Sequence, residues 1–299
     1  MNINEKKGLL LVLGTAVISG FSIFINKFGV KEFDPYLFTW VKNTFVALMI
    51  LGIALGSGEI NALRKISPRQ LLLLLAIGLL GGAVPFLLFF KGLSLTTAAN
   101  ASFIHKSMFV YVAVLATLFL KEKIDRRVLW AGLLLLLGNI LFLKILPFGS
   151  RAGDLLILLA TVLWAIETVL SKKALKTISP RLVAAGRMGF GSIFILIFLL
   201  LSGRVSGLSQ ITLAHVGWLT ITGLFLLGYV LTWYAGLRTV RASIATSILL
   251  LGAPITALLT LVSSGVSFDL SQWIGFLLLI AGVLVVGRFY ELIRPEVSD

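Results

Sequence analysis

The chain has no cysteine and few acidic residues, with 12 Asp and Glu against 26 Lys and Arg in 299 residues. The absence of cysteine excludes disulfides, thiolate metal sites and cysteine nucleophiles. Charged residues of both signs make up only 13% of the chain and hydrophobic residues 59%, whereas a soluble domain contains about 25% charged residues. This scarcity of charge excludes a soluble fold and indicates an integral membrane protein.

The sequence signatures of several enzyme classes are also missing. The chain has no G-x-x-x-x-G-K-S/T phosphate loop and no H-E-x-x-H zinc motif, and its two histidines, His105 and His215, are far apart. We therefore expect no ATP-driven pump, no enzyme, no cofactor and no metal. The net charge of +14 does not indicate nucleic acid, because most Lys and Arg residues stand in short clusters between apolar runs.

Ten apolar runs, each about 20 residues long, follow one another along the chain. Turn-forming or helix-starting residues mark several boundaries, namely Asp34-Pro35, Ser67-Pro68, Ser179-Pro180 and Gly265. The first run has no small-residue cleavage site, so we expect it to be retained. The fold class we predict is an all-α integral membrane protein with ten transmembrane helices, near residues 8–28, 35–55, 70–92, 98–119, 128–146, 153–171, 180–201, 214–236, 242–262 and 272–289.

Lys and Arg are distributed unequally between the two sides of this layout. Seventeen fall on the side of the termini, six on the other side, and three within spans. By the positive-inside rule, we expect a multi-pass protein of the cell (plasma or inner) membrane with both termini in the cytoplasm.

The second half of the chain repeats the first at an offset of about 145 residues. These matches predict two five-helix repeats, residues 1–148 and 149–299. Because five is odd, the second repeat must enter the membrane from the opposite face, which gives the inverted repeat of many secondary transporters. The matches that carry this prediction are Gly8 with Gly153, Lys27 with Lys172, Pro35 with Pro180, Lys42 with Arg187, and Trp130-Ala131-Gly132 with Trp273-Ile274-Gly275.

These features resemble the drug/metabolite transporter superfamily, EamA type. The resemblance covers nearly the whole chain and includes the basic residue seven positions into the second span of each half and the Leu120-Lys121-Glu122 end of span four. It implies a carrier of small metabolites with a cavity lined by spans one, three, four, six, eight and nine. Transport by similar proteins is often outward. Two places depart from the family pattern: Ser264-Gly265 ends span nine, and His105-Lys106 lies in a tract that is more usually apolar.

Five ionisable residues lie inside predicted spans: Lys42, His105, Lys106, Glu167 and Arg187. Each costs about 2.5–3.5 kcal/mol on insertion scales and therefore needs a partner or a wet cavity. Glu167 and Arg187 lie level across the hairpin of spans six and seven, so we expect an ion pair. This pair either fixes the packing of the two helices or makes Glu167 a proton site or an amine ligand that Arg187 modulates.

Lys42 has no such partner, because the position that matches Glu167 is Ser22. Lys106 lies at a similar depth, and two lysines at one level would attract a carboxylate or a phosphate. The alternatives are that Lys42 snorkels to the outer edge or that burial leaves a lone lysine neutral. His105 and Lys106 point about 100° apart, so we expect only one of them to line the cavity. His105 is either a proton-coupling residue or a hydrogen-bond donor between helices.

Polar and aromatic stripes complete the predicted site. Ser19, Ser22 and Asn26 share one face of span one, and Trp164, Glu167 and Ser171 occupy the matching positions of span six. Both stripes face the cavity in this interpretation, although such stripes also serve helix packing. The remaining candidates are an aromatic wall of Trp164, Tyr111, Tyr229, Trp233 and Tyr234, and hinges at Pro85 and Pro254.

The sequence thus predicts a secondary carrier that exports or exchanges a small organic metabolite by alternating access. Three intramembrane cations against one carboxylate favour an amino acid or another solute with a carboxylate or a phosphate. The partners we expect are this solute, membrane lipid and a possible coupling proton, but no nucleic acid. We expect the protein to be a monomer or a weak dimer. Alternative hypotheses are a membrane-embedded enzyme or lipid-handling factor that uses Glu167 and His105, and a carrier of neutral or cationic drugs. A channel is disfavoured because charge is scarce.

Overall fold

The computed structural model describes residues 3–32, 34–59, 65–122, 126–143, 152–265 and 269–292. All elements of these residues are helices, and they are named here α1 to α10. They are α1 (Ile3–Glu32), α2 (Pro35–Gly56), α3 (Pro68–Leu95), α4a (Ala98–Lys106) with α4b (Met108–Leu120), α5 (Arg126–Leu143), α6 (Ala152–Ala174), α7 (Pro180–Leu201), α8 (Leu213–Thr239), α9a (Ala242–Leu249) with α9b (Gly252–Ser264), and α10 (Leu270–Leu292). A short 3-10 helix, Arg204–Gln210, lies between α7 and α8.

Eight of these helices are long and apolar enough to cross a membrane: α1 to α4 and α6 to α9. The predicted spans 128–146 and 272–289 coincide with α5 and α10. Their apolar stretches, Leu129–Phe142 and Leu270–Gly282, are shorter, so a count of ten spans stays a prediction. The predicted repeat boundary at 148 and 149 lies outside the described residues, as do Arg64, Lys123, Lys144, Arg151 and Arg294 among the basic residues that set the predicted orientation.

Local chemistry explains where several helices begin. The Asp34 carboxylate accepts hydrogen bonds from the first backbone N–H groups of α2, and Ser67 and Ser179 do the same for α3 and α7. Each of these helices starts with proline, which lacks the N–H that a first turn leaves unbonded. Gly265 ends α9b with a φ of +65°, a conformation that favours glycine. The helix boundaries predicted at these four positions are confirmed.

Two predicted spans are interrupted halfway. Helix α4 breaks at Ser107, whose hydroxyl donates to the Ile104 carbonyl at 2.6 Å. Helix α9 breaks at Leu250 and Leu251. The second break has a local cause: Pro254 has no N–H for the Leu250 carbonyl, which accepts from Ala253 instead, at 2.9 Å. From the sequence, both spans were expected to be continuous helices.

A third irregularity lies in α3, where Gly78–Ala83 forms a π-helical turn just before Pro85. Proline removes the helical donor for the carbonyl four residues earlier, which belongs to Gly81. Small residues in this turn let α3 approach α7 closely: a Cβ on Gly82 would lie 2.0 Å from the Arg187 carbonyl oxygen and 3.0 Å from the Gly191 Cα. Backbone packs directly on backbone here.

Helices α1 and α6 run in opposite directions. Lys27, near the end of α1, donates to the carbonyl of Leu93 at 2.7 Å and to that of Thr96 at the end of α3. The Thr96 hydroxyl in turn donates to Asp154 at 2.6 Å, near the start of α6. The end of α1 and the start of α6 therefore lie at the same face of the bundle.

The other face shows the mirrored arrangement. Lys172, near the end of α6, donates to the carbonyls of Leu237 and Val240 at the end of α8, at 2.7 and 2.6 Å. Gly8, near the start of α1, packs against Thr239. Helix pairs match in the same way, because α1 packs on α8 as α6 packs on α3, while α2 packs on α7 and α5 on α10.

Candidate functional site

A partly open cavity lies among seven helices. Helices α2 and α7 contribute to it, and α9 provides no lining residue among the residues that the structure describes. The family resemblance implied lining by spans one, three, four, six, eight and nine. That expectation is wrong for span nine among the described residues, and it omitted spans two and seven. The lining residues are Ser19, Ser22, Ile23, Asn26, Lys42, Phe86, Phe89, Phe90, His105, Met108, Trp164, Glu167, Thr168, Arg187, Leu226, Tyr229 and Trp233.

Lys42 is held inside the cavity wall and does not snorkel, since only 1% of it is exposed. Its ammonium donates to Asn26 Oδ1 at 2.9 Å and lies 3.5 Å from the centroid of the Phe90 ring. Asn26 is oriented by Ser22, because its amide donates to the Ser22 carbonyl at 2.7 Å and hydroxyl at 3.0 Å. The predicted stripe on α1 thus positions a cation over an aromatic face.

Lys106 is also buried but lies behind the cavity wall, outside the set of lining residues. Its ammonium donates to Ser19 Oγ at 2.5 Å, and a Cβ on Gly252, where α9b begins, would lie 3.2 Å from it. The missing side chain of Gly252 leaves space for the end of the Lys106 side chain. His105 lines the cavity instead, so one member of the His105-Lys106 pair faces it.

Glu167 and Arg187 meet through a tyrosine hydroxyl. Tyr234 donates to Glu167 Oε1 at 2.6 Å and accepts from Arg187 Nη1 at 3.3 Å. Ser171, one turn further along α6, also donates to Glu167 Oε1, at 2.5 Å. Within the described part of the chain, the expected ion pair is therefore bridged by Tyr234 and is not a direct contact. Tyr234 itself is not a lining residue and acts behind Glu167.

The Gly81 carbonyl that Pro85 releases is taken up by two cavity side chains. Trp164 Nε1 donates to it at 2.9 Å and Arg187 Nε at 3.1 Å. Glycine is required at this position, because a Cβ there would lie 2.3 Å from Glu167 Cγ. Pro85 thus leaves a backbone acceptor free for Trp164 and Arg187. The prediction of Pro85 as a hinge did not include this role. Pro254 lies at the break in α9.

Aromatic rings form much of the wall. Trp164 contacts Phe86, Phe89 and His105, and Tyr229 stacks on Trp233 at 6.3 Å. Tyr111 packs against the hydrophobic core and is absent from the described lining residues. Phe86, Phe89 and Phe90 were missed in the sequence because they lie in a uniformly apolar run, and only the freed carbonyl before Pro85 marks that stretch as special.

The charge of the site is unbalanced. Lys42, Lys106 and Arg187 are basic and Glu167 is acidic, and the hydrogen-bond acceptors of both lysines in the described residues are neutral. A pocket of this kind, largely apolar with a few converging polar groups, is the usual form of a small-molecule site. Together with eight spanning-length helices, it defines a multi-pass membrane protein that handles a small solute.

Comparison with known proteins names the family. Residues 6–144 and 151–288 each match the EamA-like transporter family, so the chain belongs to this family of the drug/metabolite transporter superfamily. The two matches cover both halves of the chain, and transport of a small molecule across the membrane is the family's function.

Several relatives are full-length matches. The chain is 26% identical to the uncharacterized transporter YyaM of Bacillus subtilis, over 92% of each chain. It is 28% identical to an uncharacterized transporter of Archaeoglobus fulgidus, over 94% of this chain and 96% of that one. It is also 29% identical to the riboflavin transporter ImpX of Fusobacterium nucleatum, over 81% of this chain and 85% of that one. A solved crystal structure shares the fold, with a TM-score of 0.74 over 97% of this chain and 99% of that chain at 17% identity.

Proposed function

We propose that the protein is a secondary carrier that moves a small organic anion across the cell membrane by alternating access. The anion bears a carboxylate or a phosphate, as in an amino acid or an organic acid. The observation that carries this proposal is the pair of buried lysines, whose hydrogen-bond acceptors in the described chain are Asn26 and Ser19, both neutral. Burying a charge without a counter-charge is costly. In this proposal an anionic ligand supplies the counter-charge for the buried lysines.

Alternating access is supported by the relation between the two halves. Helices α1 and α6 are antiparallel, and α4 and α9, which match in the repeat, are both broken near their middle. Inverted repeats with discontinuous helices around a central site are typical of secondary transporters. In this proposal residues 1–148 and 149–299 are the two units, both termini are cytoplasmic, transport is export or exchange, and Glu167 is the site of a coupling proton.

A second candidate function is transport of an uncharged planar solute. It is favoured by the aromatic lining and by the relative that is named a riboflavin transporter. The enzyme hypothesis has less support, because it needs Glu167 and His105 to act together. The Glu167 Oε1 atom is bound to Tyr234 and Ser171, while the buried His105 Nδ1 atom has no hydrogen-bond partner in the described residues.

Uptake into reconstituted vesicles tests the proposal. The probes are labelled lactate, glutamate and 3-phosphoglycerate as anions and riboflavin as the uncharged solute, chosen after a thermal-shift screen of the purified protein against a metabolite library. We expect uptake of at least one anion, and we expect Lys42→Gln to reduce it by about tenfold or more, as loss of a charged hydrogen bond of about 1.5–3 kcal/mol requires.

Lys31→Gln is the matched control, since Lys31 is an exposed lysine at the end of α1. Its uptake should equal that of the unmodified chain. The anion proposal is wrong if no anion enters the vesicles, or if a variant with both Lys42→Gln and Lys106→Gln transports anions at the unmodified rate. Uptake of riboflavin alone would favour the second candidate.

A further inference from the structure

We propose that the cavity contains a second subsite, which binds a flat aromatic ring with a hydrogen-bonding edge, so that the solute is a heteroaromatic acid. This inference rests on the proposed function, because it adds a ring-binding region to the anion-binding region at Lys42. The subsite consists of Phe86, Phe89, His105 and Trp164, named here the ring cage.

The ring cage is built around Trp164. Its indole centroid lies 5.3 Å from that of Phe86, 5.3 Å from that of Phe89 and 5.1 Å from that of His105, with interplanar angles of 85°, 55° and 86°. Phe89 and His105 also contact each other, at 5.7 Å. All four side chains line the cavity. Edge-to-face and offset contacts are the geometries that aromatic rings prefer, so a planar guest can continue the arrangement.

One polar atom of the ring cage has no hydrogen-bond partner. Trp164 Nε1 is used, since it donates to the Gly81 carbonyl at 2.9 Å. His105 Nδ1 is buried, and no hydrogen bond to it occurs within the described residues. Buried polar atoms nearly always have a partner. Because His105 lines the cavity, we expect the polar edge of a bound ring to become the missing partner, which an aliphatic or plain hydrocarbon guest cannot do.

The ring cage and the anion-binding lysine are neighbours. Phe89 lies 5.4 Å from Phe90, and the Lys42 ammonium lies 3.5 Å above the Phe90 ring. A ring bound at the ring cage and an acidic group bound at Lys42 would therefore be neighbours in one cavity. Packing of α3, α4a and α6 alone explains the three ring contacts of Trp164 but not the unpartnered imidazole nitrogen.

Three carboxylates that differ only in the ring test the proposal: cyclohexanecarboxylate, benzoate and nicotinate. Each is titrated against the purified full-length chain, and the dissociation constant is taken from the shift of the thermal midpoint. We expect benzoate to bind about threefold to tenfold more tightly than cyclohexanecarboxylate, as aromatic pairs of about 0.5–1.5 kcal/mol require. Nicotinate should bind about threefold to tenfold more tightly than benzoate, because its ring nitrogen makes one more hydrogen bond.

Variants assign each preference to its residue. His105→Phe keeps a ring but removes the polar atom, so nicotinate should lose its advantage over benzoate. His105→Asn places an amide close to the Nδ1 position and should retain that advantage in part. Phe89→Leu keeps the apolar volume and should reduce the preference for benzoate over cyclohexanecarboxylate. The midpoint of each variant without ligand shows whether it is folded.

The outcomes separate the two proposals. If the three probes bind equally, or if none binds, the ring cage does not bind rings and this inference is overturned. It is also overturned if His105→Phe leaves the preference for nicotinate unchanged. The proposed function is decided by the vesicle assay instead: it survives equal binding of the three probes when Lys42→Gln abolishes anion uptake, and it fails when no anion is transported.

Discussion

At the scale of single residues, the stripes on α1 and α6 differ in charge, because the α1 stripe binds two cations from other helices and the α6 stripe carries a carboxylate. Ser19 and Asn26, seven residues apart on α1, each hold a lysine ammonium, so the two cations are anchored about 10 Å apart along that helix. On α6, the carboxylate of Glu167 occupies the matching stripe and is hydrogen-bonded by Tyr234 and Ser171. In the proposed function, the anion therefore binds on the α1 side of the cavity.

The Tyr234 hydroxyl is the contact whose loss we expect to matter most for Glu167. In Tyr234→Phe the buried carboxylate loses one donor and Arg187 loses one acceptor. Leaving a buried polar group without its partner costs about 1–3 kcal/mol, so the thermal midpoint should fall and transport should slow. Thermal unfolding and vesicle uptake measure the two effects.

Tyr111→Phe is the control for this substitution, because Tyr111 packs against the core away from the cavity. A double-mutant cycle with Glu167→Gln isolates the contact. If the effects of the Tyr234 and Glu167 substitutions simply add, the hydroxyl does not couple to the carboxylate and this account of the site is wrong.

Part of this arrangement could be predicted from the sequence. Rise per residue places Glu167 and Arg187 at one level of a hairpin, and helical spacing places Ser19, Ser22 and Asn26 on one face. The bridge between Glu167 and Arg187 could not be predicted, since Tyr234 lies on another helix, α8, and 67 residues after Glu167 in the chain. Helical periodicity describes one helix at a time and does not specify which distant side chain fills the gap between two others.

At the scale of helices, α3 is shaped by glycine and proline together. We expect Gly82→Ala to be strongly destabilising, because its Cβ would lie 2.0 Å from the Arg187 carbonyl oxygen and backbone cannot move aside cheaply. Overpacking of this kind costs about 1–3 kcal/mol or more. Gly52→Ala in α2 is the matched control, since nothing lies within 4 Å of its Cβ, and there alanine should be neutral or stabilising by up to about 1 kcal/mol. Thermal unfolding of the two variants compares them directly, and equal midpoints would contradict the close packing of α3 on α7.

Pro85 gives a second prediction for α3. Alanine at this position restores an N–H that can bond the Gly81 carbonyl in the ordinary helical manner. That bond competes with the donors of Trp164 and Arg187, so we expect slower transport while the thermal midpoint is maintained or raised. Vesicle uptake and thermal unfolding of Pro85→Ala separate these effects. A variant that loses stability in proportion to activity would indicate a purely structural proline.

Helix boundaries were easier to predict than helix interruptions. Asp34, Ser67 and Ser179 bond to N–H groups two or three residues away, so their effect is written locally in the sequence. The break of α4 at Ser107 has no proline or glycine to announce it, and the neighbouring Lys106 packs between α1 and α9b, which come from distant parts of the chain. The π-helical turn of α3 likewise depends on α6 and α7 for partners of its free carbonyl.

At the scale of the whole molecule, polar contacts join the two halves at both faces. At one face, Glu59 bonds Arg181 at 2.7 Å, and Glu122 accepts from the backbone N–H groups of Ala242 and Ser243 at 2.8 and 3.0 Å. At the other, Arg204 bonds Asp34 at 2.7 Å. The ion pairs are partly exposed and contribute about 0–1 kcal/mol each, whereas the Glu122 carboxylate caps the start of α9a.

The Glu122 contact is asymmetric between the halves, and the proposed transport cycle predicts that it controls access to the cavity. Helix α4a is capped by its own Thr97, but α9a follows Arg241, whose side chain has no acceptor to offer. Glu122, from the other half, supplies the cap and also accepts from the Ser243 hydroxyl at 2.6 Å. In the proposed cycle, opening the cavity at this face separates α4b from α9a, and we expect that movement to break these bonds.

We therefore expect Glu122→Ala to favour the state that is open at the face where α9a begins. Loss of a helix cap costs about 0.5–2 kcal/mol, which shifts a two-state equilibrium by about twofold to thirtyfold.

Because the chain has no cysteine, a single Met108→Cys in the cavity can report access to a membrane-impermeant maleimide. Labelling from that face, which the charge bias predicts to be cytoplasmic, should accelerate in inside-out vesicles, and labelling from the other face should slow. Glu5→Ala, which removes a half-buried carboxylate from the first turn of α1, should change neither rate. If Glu122→Ala lowers the thermal midpoint but leaves both labelling rates unchanged, Glu122 caps α9a without controlling access to the cavity.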